Sequence, residues 1–212
     1  MSALLYLHGF ASSPAGRKIA LLREAFAAEG IELLAPDLNR PSFERLDFDV
    51  MADEAVRAAA AANPAVVIGS SLGALVALEA ARRGVRAPLV LVAPALGFGT
   101  RWTEKLAPGD PVRFFHHGAN RELSIHRRFF EQMAQVDVDR DPPPVPVTVV
   151  MGDKDESVPY EGVRDTWRRW DASGRLKPGS RFVSIPGGDH GLVDHVATIA
   201  EAIRKARTMM PG

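Results

Sequence analysis

The chain contains no cysteine, which excludes a disulfide framework, a thiolate metal site and a cysteine nucleophile. It also lacks a surplus of either charge, since 26 basic residues balance 26 acidic ones. A protein that binds nucleic acid without sequence preference needs a basic surplus to displace counterions. We therefore expect no nucleic-acid partner.

Long hydrophobic runs are also missing. No window approaches the roughly 18 uninterrupted apolar residues of a membrane span, and no basic leader precedes the short apolar run at the N-terminus. These features predict a cytoplasmic protein without a membrane partner. The sequence does not indicate an oligomeric state.

Motifs for metals and nucleotide cofactors are absent as well. There is no H-E-x-x-H sequence, and the adjacent His116 and His117 have no ligand one helical turn away. Neither a G-x-G-x-x-G loop nor a Walker loop occurs. We therefore predict neither a metal site nor a cofactor.

Short apolar runs alternate with longer segments of helical periodicity along most of the chain. The apolar runs predict strands at residues 3–8, 31–35, 65–68, 88–93, 147–151 and 181–185. Helices are predicted at residues 17–29, 49–62, 71–83, 160–170 and 190–208. Such alternation is typical of a parallel, doubly wound α/β sheet with both faces buried. A length of 212 residues suits a single domain.

Residues 95–144 interrupt this alternation with a stretch rich in glycine and proline. One helix is predicted there, from Ser124 to Gln135, with Ser124 as its N-cap. The stretch connects two parallel strands at their carboxyl edge, so we interpret it as a lid-like insertion rather than a second domain. Its aromatic residues, which include Trp102 and Phe115, are consistent with ordinary packing and with the wall of an acyl pocket.

The most specific motif is Gly69-Ser70-Ser71-Leu72-Gly73, which matches the G-x-S-x-G nucleophile elbow. A predicted strand precedes it and a predicted helix follows it, which is the context that the elbow requires. The turn is so tight that Gly69 and Gly73 are expected to have no room for side chains. We predict that Ser71 is a nucleophile exposed at the carboxyl edge of the sheet.

A serine nucleophile needs a base, and the base needs a carboxylate to fix its tautomer. His190 lies in a glycine-rich loop after the last strand, at the same edge of the sheet as Ser71. Three acids, Asp153, Asp155 and Glu156, follow the fifth strand, in the chain order serine, acid, histidine. The residues alone leave open which of the three acids orients His190.

The transition state of acyl transfer also needs two hydrogen-bond donors for its oxyanion. We predict that one is the backbone N–H of Leu72, directly after the nucleophile. The other is predicted to be the N–H of Phe10, in the loop after the first strand.

Two stretches carry a family resemblance. Residues 4–14, Leu-Leu-Tyr-Leu-His-Gly-Phe-Ala-Ser-Ser-Pro, and the Gly-Ser-Ser-Leu-Gly motif are similar to short bacterial esterases of the YqiA type. Nearly the whole chain resembles the α/β-hydrolase superfamily, except in residues 95–144. The resemblance implies a minimal α/β-hydrolase fold that lacks the first two strands of the full fold, with a six-stranded, mainly parallel sheet.

The resemblance also implies which acid belongs to the site. In α/β hydrolases the acid is the Asp of a Gly-x-x-Asp-x-x-Val-Pro pattern, and here Gly152, Asp155, Val158 and Pro159 match it. The resemblance therefore favours Asp155 over Asp153.

These residues predict a serine esterase that hydrolyses small or short-chain esters or thioesters through an acyl-enzyme. Its partner would be a small-molecule ester. Two alternatives stay open: an amidase, peptidase or acyltransferase with the same triad, and a non-catalytic binding module that keeps the hydrolase fold.

Overall fold

The computed structural model of the protein describes residues 3–99, 101–104, 106 and 108–209. The strands among these residues are β1 (Ala3–Leu7), β2 (Glu32–Leu34), β3 (Val66–Ser70), β4 (Leu89–Val92), β5 (Val112–His116), β6 (Arg121–Ile125), β7 (Val147–Gly152) and β8 (Arg181–Ile185). The helices are α1 (Arg17–Ala27), α2 (Phe48–Ala62), α3 (Leu72–Arg82), α4 (Arg101–Glu104), α5 (Arg127–Met133), α6 (Tyr160–Ala172) and α7 (Val196–Arg207).

Six strands form one parallel sheet in the spatial order β2-β1-β3-β4-β7-β8. From β1 the chain adds β2 on one side and then β3 on the other. Because crossovers between parallel strands are right-handed, the two connecting helices, α1 and α2, lie on opposite faces of the sheet. Helix α7 packs beside α1, and α3 packs beside α2. The predicted doubly wound sheet is confirmed.

Burial on both faces explains why the strands are continuous apolar runs in the sequence. Every residue of β3, β4 and β7 is buried. Because the strands are parallel, the loops that follow β1, β3, β7 and β8 meet at one edge of the sheet. This edge carries the residues that the sequence singled out.

The insertion between β4 and β7 is more regular than predicted. Strands β5 and β6 form an antiparallel hairpin, with Arg113 opposite Ser124. The prediction that Ser124 caps a helix is therefore wrong, because Ser124 lies in β6 and α5 begins at Arg127 after His126. Pairing with β5 holds residues 121–125 extended, although Ser124 would be a suitable cap for an isolated helix.

The last helix also begins later than predicted. His190 lies in the loop after β8, a short 3₁₀ turn spans Val193–His195, and α7 begins at Val196. None of the helices in the described part of the chain is long and apolar enough to cross a membrane.

Candidate active site

Ser71 lies at the turn between β3 and α3, in a strained backbone conformation with φ 53° and ψ −117°. A non-glycine residue rarely adopts a positive φ, so the surrounding packing must impose it. A Cβ atom at Gly73 would overlap the carbonyl oxygens of Leu7 and His8, and one at Gly69 would overlap the backbone of Gly73. The two glycines let strand, turn and helix approach closely enough to form the elbow.

Hydrogen bonds connect Ser71, His190 and Asp155 in series. The Oγ of Ser71 lies 3.2 Å from Nε2 of His190, and Nδ1 of His190 lies 2.7 Å from Oδ2 of Asp155. Because a carboxylate only accepts hydrogen bonds, Nδ1 carries the proton and Nε2 is free to accept one from Ser71. The structure thus brings together the three residues that the sequence proposed from separate loops.

Asp155 is held more firmly than its neighbours. Its side chain is fully buried, whereas the side chain of His190 is 25% exposed. The Oδ1 atom of Asp155 accepts the N–H groups of Ser157 and Val158, at 2.9 and 2.7 Å, which leaves Oδ2 for His190. These bonds stabilise the buried carboxylate and fix its direction.

The other two acids of the loop hold the backbone of the histidine loop instead. Asp153 accepts the N–H of Gly187 at 2.7 Å, and Glu156 accepts the backbone N–H of His190 at 3.5 Å. Neither contacts the imidazole ring of His190 in the hydrogen bonds of the described residues.

The N–H groups of Phe10 and Leu72 are the two donors predicted for an oxyanion hole. Neither the N–H of Phe10 nor that of Leu72 donates a hydrogen bond to a protein acceptor within the described ranges. Leu72 is the first residue of α3, so its N–H belongs to the positive end of the helix dipole.

His8 is a residue that the sequence prediction did not include in the site. Its Nδ1 donates to the carbonyl of Gly9 at 3.0 Å, and its Nε2 accepts the N–H of Leu38 at 3.0 Å. Burial lowers the pKa of His8, while the nearby Asp37 carboxylate acts in the opposite direction. A neutral His8 therefore orients the loop that carries Phe10. The position of His8 at the end of the first predicted strand, two residues before the predicted donor Phe10, could have indicated this role.

The insertion packs directly against that loop. The ring of Phe10 lies between 5.2 and 6.1 Å from the rings of Phe114, Phe129 and Phe130, measured between centroids. The N–H of His117 donates to the carbonyl of Ala11 at 2.8 Å. The hairpin and α5 thus hold the Phe10 loop from outside the sheet.

The two aromatic residues considered for a pocket wall differ in position. Trp102 contacts Phe129, whose ring stacks on Phe10, and it is partly buried. Phe115 is 48% exposed and contacts His117, so it lies on the outer surface of the hairpin. Of these two residues, Trp102 is the one placed to influence the surroundings of Phe10.

No group of three or more His, Asp or Glu side chains is placed to hold a metal ion among the residues that the structure describes. His116, which the sequence paired with His117, is buried against the ring of Phe43. Its Nδ1 accepts the N–H of Ala119 at 3.0 Å, so its interactions belong to the hairpin.

Lys18 reaches the site from α1 and has no counterpart in the sequence prediction. Its Nζ donates to Oγ of Ser70, the residue before the nucleophile, at 3.2 Å. Burial lowers its pKa to about 8, and the carboxylates of Asp189 and Asp155 only partly oppose this effect. The sequence of an amphipathic helix does not indicate that its lysine will contact the residue before the nucleophile. That contact depends on how α1 packs against the sheet.

The lowered pKa of Lys18 predicts how stability depends on pH. Between pH 8 and 10.5 the folded protein binds fewer protons at Lys18 than the unfolded chain does. The free energy of unfolding therefore gains up to about 3 kcal/mol from this group as the pH rises through that window. Below pH 8 both states carry the charge, and its burial continues to destabilise the fold.

Lys18→Met is expected to remove this pH dependence and to stabilise the protein most below pH 8. Urea denaturation of the parent and the variant at pH 7, 8, 9 and 10 measures the difference in free energy of unfolding. Tyr6 and other titrating groups cancel in that difference. Lys154→Met is the matched control because Lys154 is exposed. A difference that stays constant with pH would contradict the lowered pKa.

The family model described as "Uncharacterised protein family (UPF0227)" matches residues 3–203. A comparison with curated protein sequences found no match.

Several solved structures share the architecture. The esterase domain of a Rhodothermus marinus protein is 21% identical, with a TM-score of 0.71 over 98% of this chain and 87% of that one. Est1E from Butyrivibrio proteoclasticus, solved with bound ferulic acid, is 22% identical, with a TM-score of 0.73 over 97% and 87%. Mouse alpha/beta hydrolase domain-containing protein 10 is 18% identical, with a TM-score of 0.69 over 96% and 90%. At these identities the likeness shows the α/β-hydrolase fold, as the sequence resemblance predicted.

Proposed function

Because the chain belongs to the uncharacterised protein family UPF0227 and has the α/β-hydrolase fold, we propose that it is a serine hydrolase. Its substrates would be carboxylic esters or thioesters with small or short acyl groups. The observation that carries this proposal is the hydrogen-bonded series from Asp155 through His190 to Ser71, at a nucleophile elbow. A serine, an imidazole and a carboxylate in this order supply the nucleophile, the general base and the group that orients the base in acyl transfer.

In the proposed reaction the Oγ of Ser71 attacks the ester carbonyl while Nε2 of His190 takes the hydroxyl proton. The carbonyl oxygen becomes an oxyanion. The proposed donors are the N–H groups of Phe10 and Leu72, which donate to no protein acceptor among the described residues. His190 then gives its proton to the leaving alcohol or thiol as the carbonyl–oxygen or carbonyl–sulfur bond breaks. Water attacks the acyl-enzyme by the same steps and restores Ser71.

The role of Asp155 follows from its burial and its short bond to His190. A fixed carboxylate keeps the proton on Nδ1 in the free enzyme and stabilises the imidazolium that forms during attack. The arrangement requires no metal ion or organic cofactor, and its partner is a small-molecule ester.

A fluorophosphonate probe followed by a substrate panel tests the proposal. The probe is expected to label the protein at Ser71, and p-nitrophenyl acetate is expected to be hydrolysed faster than the matching p-nitroanilide. Faster cleavage of the anilide would favour an amidase or peptidase, and transfer to an added alcohol in preference to water would favour an acyltransferase. A folded protein that neither reacts with the probe nor turns over any substrate would be a binding module.

Acyl-chain preference follows from the proposed lid, residues 95–144. Within the described part of this segment, Phe114 of a short hairpin and Phe130 of a short helix pack on the Phe10 ring, so we expect a shallow pocket. Each extra methylene that is buried improves binding by up to about 0.8 kcal/mol and stops helping once the pocket is full. The value of kcat/KM on p-nitrophenyl esters is therefore expected to peak at short acyl chains.

Trp102→Ala is expected to move that peak toward longer chains, since it removes a ring next to Phe129. Phe115→Ala is the matched control, because the exposed Phe115 ring points away from this cluster. A peak at long chains in the parent protein would show that the pocket is deep. An unmoved peak in Trp102→Ala would show that the acyl group binds elsewhere.

A further inference from the structure

The loop after β1 contains a strained residue directly behind Phe10. Ala11 has a left-handed backbone with φ 52°, although it is not a glycine and is buried. A non-glycine residue keeps this conformation only where its surroundings impose it, and such strain is concentrated at functional sites. Because Phe10 and Ala11 share a peptide bond, the contacts that hold Ala11 also influence the direction of the Phe10 N–H.

The turn of the β5–β6 hairpin supplies two of the contacts to this loop. The N–H of His117 donates to the carbonyl of Ala11 at 2.8 Å. The next residue, Gly118, lies so close to the loop that an added Cβ atom would stand 2.6 Å from both Cβ and Oγ of Ser13. The backbone of Gly118 is outside the left-handed region and would accept alanine. The close approach to Ser13 is therefore what requires glycine at residue 118.

The insertion thus reaches the loop in two different ways. Rings of β5 and α5, those of Phe114 and Phe130, pack on the side chain of Phe10. The hairpin turn instead contacts the backbone, one residue after Phe10. The loop after β2 also contributes, since Nδ2 of Asn39 donates to the carbonyl of Ser12 at 3.0 Å. These contacts fix the backbone on the C-terminal side of the proposed oxyanion donor.

We propose that His117 and Gly118 are positioning residues that direct the N–H of Phe10 toward the oxyanion of the reaction. The insertion would then take part in transition-state stabilisation as well as in acyl preference. The proposal rests on the proposed function, because an oxyanion forms only if Ser71 attacks a carbonyl group. A donor stabilises the oxyanion only within about 2.7–3.1 Å of the position where the charge develops, so a small rotation of the Phe10 peptide weakens it.

Gly118→Ala is expected to lower kcat about 10- to 100-fold. The new methyl group crowds Ser13 and pushes the turn away, which stretches the hydrogen bond from His117 to Ala11 and lets Ala11 leave its strained conformation. Removal of a whole oxyanion donor costs roughly 10²–10³ in kcat, and a misplaced donor costs less. KM is expected to change by less than about threefold, because the lost interaction is made in the transition state.

A second substitution in the same contact provides the test of cause. Ser13→Gly removes the two atoms that the new methyl group would meet, so the double variant Ser13→Gly/Gly118→Ala is expected to recover most of the lost kcat. Ser13→Gly alone is expected to keep kcat within about threefold of the parent value. Gly162→Ala is the matched control, because a Cβ atom there would meet nothing within 4 Å.

Three measurements compare these variants with the parent protein. Steady-state kinetics on p-nitrophenyl acetate give kcat and KM separately. The ¹H–¹⁵N resonance of the Phe10 amide reports the surroundings of the donor without any need for catalysis. Circular dichroism with thermal unfolding shows whether each variant is folded. Gly118 is exposed at the surface of the hairpin, so we expect Gly118→Ala to fold.

The expected result is a loss of kcat in Gly118→Ala that the double variant recovers, with the Phe10 resonance moving and returning in the same way. Parent-like kcat in Gly118→Ala, a loss that the double variant keeps, or a rise in KM alone would overturn the proposal. An unfolded Gly118→Ala would also overturn it, since the contact would then serve the fold rather than the donor. A Phe10 resonance that moves and returns in a protein without esterase activity would support the positioning of the loop and contradict the proposed function.

Discussion

Replacing Ser71 with alanine is expected to lower kcat for ester hydrolysis by about 10⁶, which leaves only the catalysis supplied by binding and the oxyanion donors. The loss should be this large because Ser71 alone combines a position at the elbow with a hydrogen bond to His190. Steady-state kinetics on p-nitrophenyl acetate measure it, with circular dichroism to show that the variant is folded.

Ser70→Ala is the matched control for this prediction. Ser70 carries the same hydroxyl group one residue earlier, but its Oγ accepts a hydrogen bond from Lys18 rather than contacting His190. Its replacement is expected to cost less than about tenfold in kcat, far less than the loss of a nucleophile. Near-wild-type hydrolysis by Ser71→Ala, or a larger loss in Ser70→Ala, would show that Ser71 is not the nucleophile.

Asp155→Asn is expected to lower kcat by about 10⁴, the second largest effect. An amide group donates hydrogen bonds as well as accepting them, so it favours the imidazole tautomer with the proton on Nε2. That tautomer cannot accept the proton of Ser71. Because Oδ1 of Asp155 also accepts two backbone N–H groups, thermal unfolding should accompany the kinetics to separate lost stability from lost chemistry.

Asp153→Asn is the matched control, since Asp153 lies in the same turn and its replacement removes the same negative charge. Its exposed carboxylate accepts only the N–H of Gly187 among the hydrogen bonds of the described residues. We expect less than about a tenfold loss in kcat from this variant. The opposite ranking of the two variants would assign the orienting role to Asp153.

The sheet could be predicted from the sequence because its strands are buried on both faces and therefore appear as apolar runs. Strand β8 has the predicted bounds, and β3 and β4 differ from the prediction by only one or two residues at their ends. The elbow could be predicted for a similar reason. Steric exclusion requires glycine at residues 69 and 73, which leaves a local pattern in the sequence.

The features that could not be predicted depend on contacts between distant segments. Ser124 has the properties of a helix cap, but pairing with Arg113 places it in a strand. Phe115 is aromatic, as expected of a pocket wall, but its place in β5 leaves its side chain exposed on the outer surface of the hairpin. Lys18 reaches Ser70 only because α1 packs against the sheet, and no spacing in the chain encodes that contact.

The most direct test of Ser71 as the nucleophile is to locate the covalent adduct that a fluorophosphonate forms with the protein. The parent protein is treated with a fluorophosphonate, digested and mapped by tandem mass spectrometry, with Ser71→Ala treated in parallel. A single phosphonyl adduct is expected on Ser71 in the parent protein, and none is expected in the variant. An adduct on Ser70 or any other residue, or equal labelling of Ser71→Ala, would contradict the assignment of Ser71 as the nucleophile.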